Sequence, residues 1–170
     1  MRIVFFLLFL LFFNTGFTQE CFPLHKKDKR LAHKIQKLID KRAYYDAVDA
    51  LQKTNEKAAI FYVLQSEMLW KRGEFFNAEN KAMRAIDVCP YEFPKAYYFL
   101  GEIAYKRKDY VNADIYLRKA LEMQIRDPYY SDAIMLYENA KILANIISNP
   151  VSFEPKIVKG VSTKDDEYLP

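Results

Sequence analysis

Apolar residues recur at three- and four-residue spacing from Asp28 to Ser148, the rhythm of helices that each bury one face. The pattern predicts seven helices. They run over Asp28–Asp40, Ala43–Lys53, Glu56–Lys71, Glu74–Val88, Pro94–Arg107, Tyr110–Gln124 and Pro128–Ser148. Punctuation agrees with it. Pro90 and Pro94 bracket one connection, since proline cannot continue a helix. Asp127 suits an N-cap, Pro128 the first helical position, and Asn149-Pro150 a stop. Only Gly73-Glu74 or Lys108-Asp109 separates the members of a pair, and connections that short make neighbours antiparallel.

Two consecutive pairs carry nearly the same letters. Gly73, Phe75, Ala78, Ala82, Ala85 and Pro90 in one are answered by Lys108, Tyr110, Ala113, Leu117 and Ala120 in the next, with Ala78 and Ala113 35 residues apart. A period near this value marks a helical array, in which each hairpin needs its neighbours to cover its apolar face. Tyr97, Leu100, Gly101 and Ala104 share one helix face. The missing side chain of Gly101 and the small Ala113 mark a close approach of two helices, and Ser66 and Ala78 take those places one unit earlier. The expected architecture is all-α: a right-handed superhelix of about three hairpins, a capping helix and an extended tail. The cap is imperfect. Ile134, Leu136, Leu143, Ile146 and Ile147 belong to an apolar band too wide for one neighbour, so a second contact is expected from the tail, another domain or another chain.

At 170 residues and 51% hydrophobic letters, the chain is long enough for one domain with a sizeable core. Arg2, the apolar run Ile3–Phe13 and a polar stretch to Gln19 read as a signal peptide over residues 1–19. The 11 apolar residues fall short of the roughly 20 that span a bilayer. Residues 20–27 form an N-terminal segment. Export permits a Cys21–Cys89 disulfide, but the spacing does not call for one, and two unpaired cysteines is the plainer reading. Cys21 is also a candidate lipidation position, although Thr18, Gln19 and Glu20 lack the usual small residues.

The net charge of +4 is too mild to indicate nucleic acid. Lys26, Lys27, Lys29, Arg30, Lys34, Lys37, Lys41 and Arg42 nevertheless crowd one stretch. They read either as the solvated face of the first helix or as a contact with an anionic envelope surface. His25 and His33 do not make a metal motif with the cysteines. No phosphate loop, carboxylate pair or activated nucleophile can be placed, so neither enzyme, cofactor, metal site nor small-molecule substrate is expected.

The helical units resemble the tetratricopeptide repeat. Tyr97, Leu100-Gly101, Tyr105, Ala113, Leu117 and Ala120 follow its pattern, as do Tyr62, Trp70, Gly73, Phe75, Ala78, Ala82, Ala85 and Pro90. Tyr44, Ala47 and Leu51 give a degenerate first unit, and the domain is expected over residues 28–148. The segment after it (residues 149–170), with Asn149-Pro150-Val151-Ser152-Phe153-Glu154-Pro155 and Asp166-Glu167-Tyr168-Leu169-Pro170, looks like the junction where envelope proteins pass into a WD-like (TolB-type) β-propeller and then an OmpA-like domain. PorE-like proteins of type IX secretion and gliding are built this way. The resemblance implies an exported scaffold, periplasmic and outer-membrane associated, with envelope proteins as partners and a propeller in cis or in trans among them. A SusD-like glycan-binding lipoprotein is the alternative.

In such a stack the first helix of each hairpin lines the concave side. The candidate partner-binding groove is then Val63, Glu67, Trp70 and Lys71, with Tyr98, Glu102, Tyr105 and Lys106 at equivalent places one unit later. Trp70 and Tyr105 read equally as packing between repeats. The Lys/Asn carboxylate clamp of some tetratricopeptide domains is not visible, because Val63, Tyr98, Glu67 and Glu102 stand in its place.

Overall fold

A computed structural model describes residues 21–22, 25–54 and 58–150. The expected signal peptide and the tail from residue 151 onward lie outside the described residues, as does the expected start of the third helix at Glu56. Among the described residues the chain is all helical: α1 (Lys26–Asp40), α2 (Tyr44–Gln52), α3 (Ala59–Lys71), α4 (Phe75–Val88), α5 (Pro94–Lys106), α6 (Tyr110–Glu122) and α7 (Tyr130–Ser148). They pair as three antiparallel hairpins, α1/α2, α3/α4 and α5/α6, with α7 packed on α6. The leading helices also touch in series, α1 on α3, α3 on α5 and α5 on α7, and this ladder forms the inner wall of the stack.

The repeat is visible in the turns as well as in the core. Four helices end in the same hydrogen-bonded cap. The amides of Ala43, Glu74, Asp109 and Ile125 reach back to the carbonyls of Leu38, Leu69, Ala104 and Ala120. The residue before each amide is left-handed: Arg42, Gly73, Lys108 and Gln124. This is the cap that satisfies the last carbonyls of a helix. Glycine takes it without strain only at Gly73 (φ 81°). Asp109 adds a cap at the start of α6, accepting from the Asn112 amide at 3.3 Å.

Ala78, Ala85, Ala113 and Ala120 are fully buried, Leu100 and Gly101 are buried, and Tyr62 and Tyr97 are partly buried. Pro90 lies exposed in the turn after α4, where its carbonyl accepts from the Tyr97 hydroxyl at 2.9 Å. The equivalence of Ser66 with Gly101 is realised in two ways. Ser66 Oγ donates to the Ala78 carbonyl at 2.9 Å in the interior. A Cβ built on Gly101 would lie 2.5 Å from Leu117 Cγ and 3.1 Å from the Leu117 backbone nitrogen. Gly101→Ala is therefore expected to cost about 2–3 kcal/mol through overpacking. Adding Leu117→Ala should recover part of that loss in a double-mutant cycle read by chemical denaturation.

Two expectations are corrected. The last helix starts at Tyr130, not Pro128; Asp127 and Pro128 stay exposed outside it, and Asp127 caps nothing. The buried Tyr129 ring fixes the start instead, packed against Trp70, Tyr98 and Phe99. The cysteines are not unpaired. Cys21 and Cys89 form a disulfide with Cα atoms 5.6 Å apart. It ties the N-terminal segment to the end of α4 and seats Phe22 on Phe93, with ring centroids 5.3 Å apart. The sulfur that a thioether lipid on Cys21 would require is taken up by this bond.

The cap is open as expected. Ala133, Leu136 and Ala140 of α7 are buried, whereas Met135, Ile142, Ile146 and Ile147 are each more than half exposed. No helix among the described residues is long and apolar enough to cross a membrane.

Candidate functional site: the inner wall

Carboxylates rarely enter an apolar wall unless their charge is met there. Glu67, on α3, is 1% exposed. Its Oε1 accepts from the Tyr129 hydroxyl at 2.8 Å, the Lys71 ammonium at 3.0 Å and Gln36 Nε2 at 3.2 Å. Its Oε2 accepts from Lys95 Nζ at 2.9 Å. Gln36 belongs to α1, Lys71 to α3, Lys95 to α5, and Tyr129 precedes α7. One carboxylate thus joins all four segments of the inner wall. Burial pushes its pKa up, but the Lys95 and Lys71 charges and hydrogen bonds outweigh burial and hold it below the ordinary carboxylate range.

Next to this polar seam lies an aromatic one. Trp70 packs on Phe99 at 5.2 Å between centroids and meets Tyr98 and Tyr129 edge-on. The Tyr98 hydroxyl donates to Asp132 of α7. Burial, that hydrogen bond and nearby carboxylates raise the Tyr98 pKa far above the ordinary phenol value. Burial and Glu67 do the same at Tyr129. Both phenols stay protonated as donors.

The predicted groove residues therefore part company. Val63, Glu67, Tyr98 and Glu102 are buried and offer little surface to a partner; Glu67 and Tyr98 bond across neighbouring segments of the stack. Trp70 is half-buried in the aromatic seam, and Tyr105 packs on Tyr110 with centroids 5.4 Å apart. Lys71 is half-buried in the seam, and Lys106 is exposed, paired to Glu102 at 2.7 Å.

What stays open is a pair of depressions. One, of about 470 Å³, lies at the N-terminal ends of α3 and α5, walled by Phe22, Ile60, Phe93 and Ile125 with Lys95, Arg126, Glu92 and Asp127 around them. The other, of about 650 Å³, lies at the opposite ends, lined by Tyr44, Trp70 and Phe75 with Asp40, Arg42, Lys71 and Lys106. Sequence reasoning missed Gln36, Lys95, Tyr129 and Phe22. Gln36 stands in α1 where Glu67 stands in α3, a correspondence hidden by the degenerate first unit. Phe22 reaches the wall only through the disulfide. No cluster of His, Cys, Asp and Glu suited to a metal ion exists among the described residues.

With this geometry in view, the fold is that of a tetratricopeptide repeat domain. The chain is similar to the crystal structure of the Sgt2 TPR domain from Aspergillus fumigatus, with a TM-score of 0.60 and 20% identity over 84% of this chain and 97% of that one. No protein-family model matches the chain, and no curated protein matches it significantly.

Proposed function

We propose that this chain is a non-enzymatic protein-binding scaffold of the bacterial cell envelope, exported to the periplasm and working in a secretion or gliding assembly at the outer membrane. The observation that carries the protein-binding reading is the inner wall itself. Its centre is closed by Glu67 and the aromatic seam, and open depressions lined by apolar side chains and charges of both signs flank it on both sides. Apolar pockets ringed by polar groups suit the anchor side chains of a peptide or helix. The signal-like start, the Cys21–Cys89 disulfide and the propeller-like tail support the envelope setting. The open face of α7 supports a second contact, with a propeller in cis or in trans as its candidate. The SusD-like alternative requires inserted loops, and the longest connection between described helices is residues 123–129.

Trp70→Ala is a poor probe of this reading because it also breaks the aromatic seam. Arg42→Glu and Arg126→Glu change the two rims at exposed side chains that hold no ion pair among the described residues. In cells, chemical crosslinking of the tagged chain is expected to capture a small set of envelope proteins, and the double variant should lose them at unchanged expression. Capture of none, or capture indifferent to both charges, contradicts the proposal.

A further inference from the structure

At about 100° per residue, Lys26, Lys27, Arg30, Lys34 and Lys37 fall within an arc of roughly 100° on α1, and Lys41 follows on the same side at its C-cap. All six are exposed. The opposite face is the buried one, through Ile35 and Ile39. None of the six joins an ion pair among the described residues, whereas Lys71, Lys95, Lys106 and Arg107 all do. Asp40 borders the stripe at its C-terminal end but turns to Gln36 and Lys71 on the inner wall. Like charges one turn apart without counter-ions repel each other and destabilise a helix slightly. A solvated face needs no such one-signed row.

We propose that this row docks the protein on an anionic lipid surface, with α1 lying flat on the headgroups. Three features favour lipid over nucleic acid. The stripe has no aromatic or amide side chain of the kind that reads or stacks on bases. It is a straight rod of about 22 Å with cations roughly every turn, matched to a flat array of phosphates. The disulfide belongs to an oxidising compartment, outside which most nucleic acid is kept. Exposed apolar residues are absent from the stripe, so binding is electrostatic and does not insert the helix.

The test is co-sedimentation of residues 20–170, which contain every described element, with vesicles of 30% phosphatidylglycerol in phosphatidylcholine. Binding is expected on these vesicles and not on pure phosphatidylcholine, with release as salt rises from 50 to 300 mM. Lys34→Gln/Lys37→Gln/Lys41→Gln should weaken partitioning about a hundredfold, with helix content by circular dichroism unchanged. If that variant misfolds, Lys26→Gln/Arg30→Gln provides the same test nearer the start of α1. Equal binding to neutral vesicles, wild-type binding by a folded triple variant, or tighter binding to a short DNA duplex at equal phosphate concentration overturns the proposal.

Discussion

Removing the disulfide by Cys21→Ala/Cys89→Ala is expected to lower stability by about 4 kcal/mol. The bond closes a loop of 68 residues. In the chain-entropy account, closing a loop of that length restricts the unfolded ensemble by an amount of this order. The native state also loses a fixed wall. Phe22 leaves Phe93, and the hydrogen bond from the Ile60 amide to the Cys21 carbonyl, at 3.1 Å, loosens. Thermal unfolding should show a midpoint lower by roughly 12 °C, and a reducing agent should lower the wild type in the same direction while leaving the variant unmoved. An unchanged midpoint would mean that the N-terminal segment adds nothing to the stack.

The second large effect is at Glu67. Glu67→Gln keeps the shape of the side chain but removes the charge that answers Lys95 and Lys71, and the Tyr129 hydroxyl then donates to a weaker acceptor. Breaking a buried ion pair costs about 3–5 kcal/mol. Here both ammonium groups keep some contact with solvent, so about 3 kcal/mol is expected. Glu67→Met/Lys95→Met should be less destabilised than the sum of its single variants, because no orphan charge remains between those two positions. The pH dependence has a definite sign. The folded carboxyl titrates below its ordinary value, so the wild type's advantage is full above the unfolded value of about 4.3 and is lost as pH falls through the folded one. The stability gap between wild type and Glu67→Gln should therefore narrow in acid. A gap that widens there would mean that Glu67 is held protonated.

Much of the fold was legible because small residues leave a pattern. Gly101, Ala78, Ala113 and Ala120 mark helix contacts that exclude anything larger, and the structure buries each of them. Left-handed caps were legible only at Gly73. At Arg42, Lys108 and Gln124 the same backbone is imposed by the cap hydrogen bonds on residues without that preference. The start of α7 was misplaced because local capping chemistry at Asp127 lost to the burial of Tyr129, a tertiary effect. The inner wall was read as an even ladder of aromatic and charged positions. Equivalent letters do not make equivalent surfaces: Glu67 sits between α1 and α5 and meets four partners, whereas Glu102 sits one step later and pairs with Lys106. Spacing alone did not bring Cys21 to Cys89, since that depends on how the first hairpin stacks on the second.

The proposed function requires that a protein dock on the inner wall of the stack. Phe75 and Phe76 are neighbours on α4. Phe75 lines the larger depression, and Phe76 points to solvent with 69% of its surface exposed. A photo-crosslinking amino acid placed at each position in cells tests the two faces with the smallest change of sequence. The expected result is a discrete crosslinked partner at position 75 and none at 76. Crosslinking at 76 alone, or equally at both, would contradict the account.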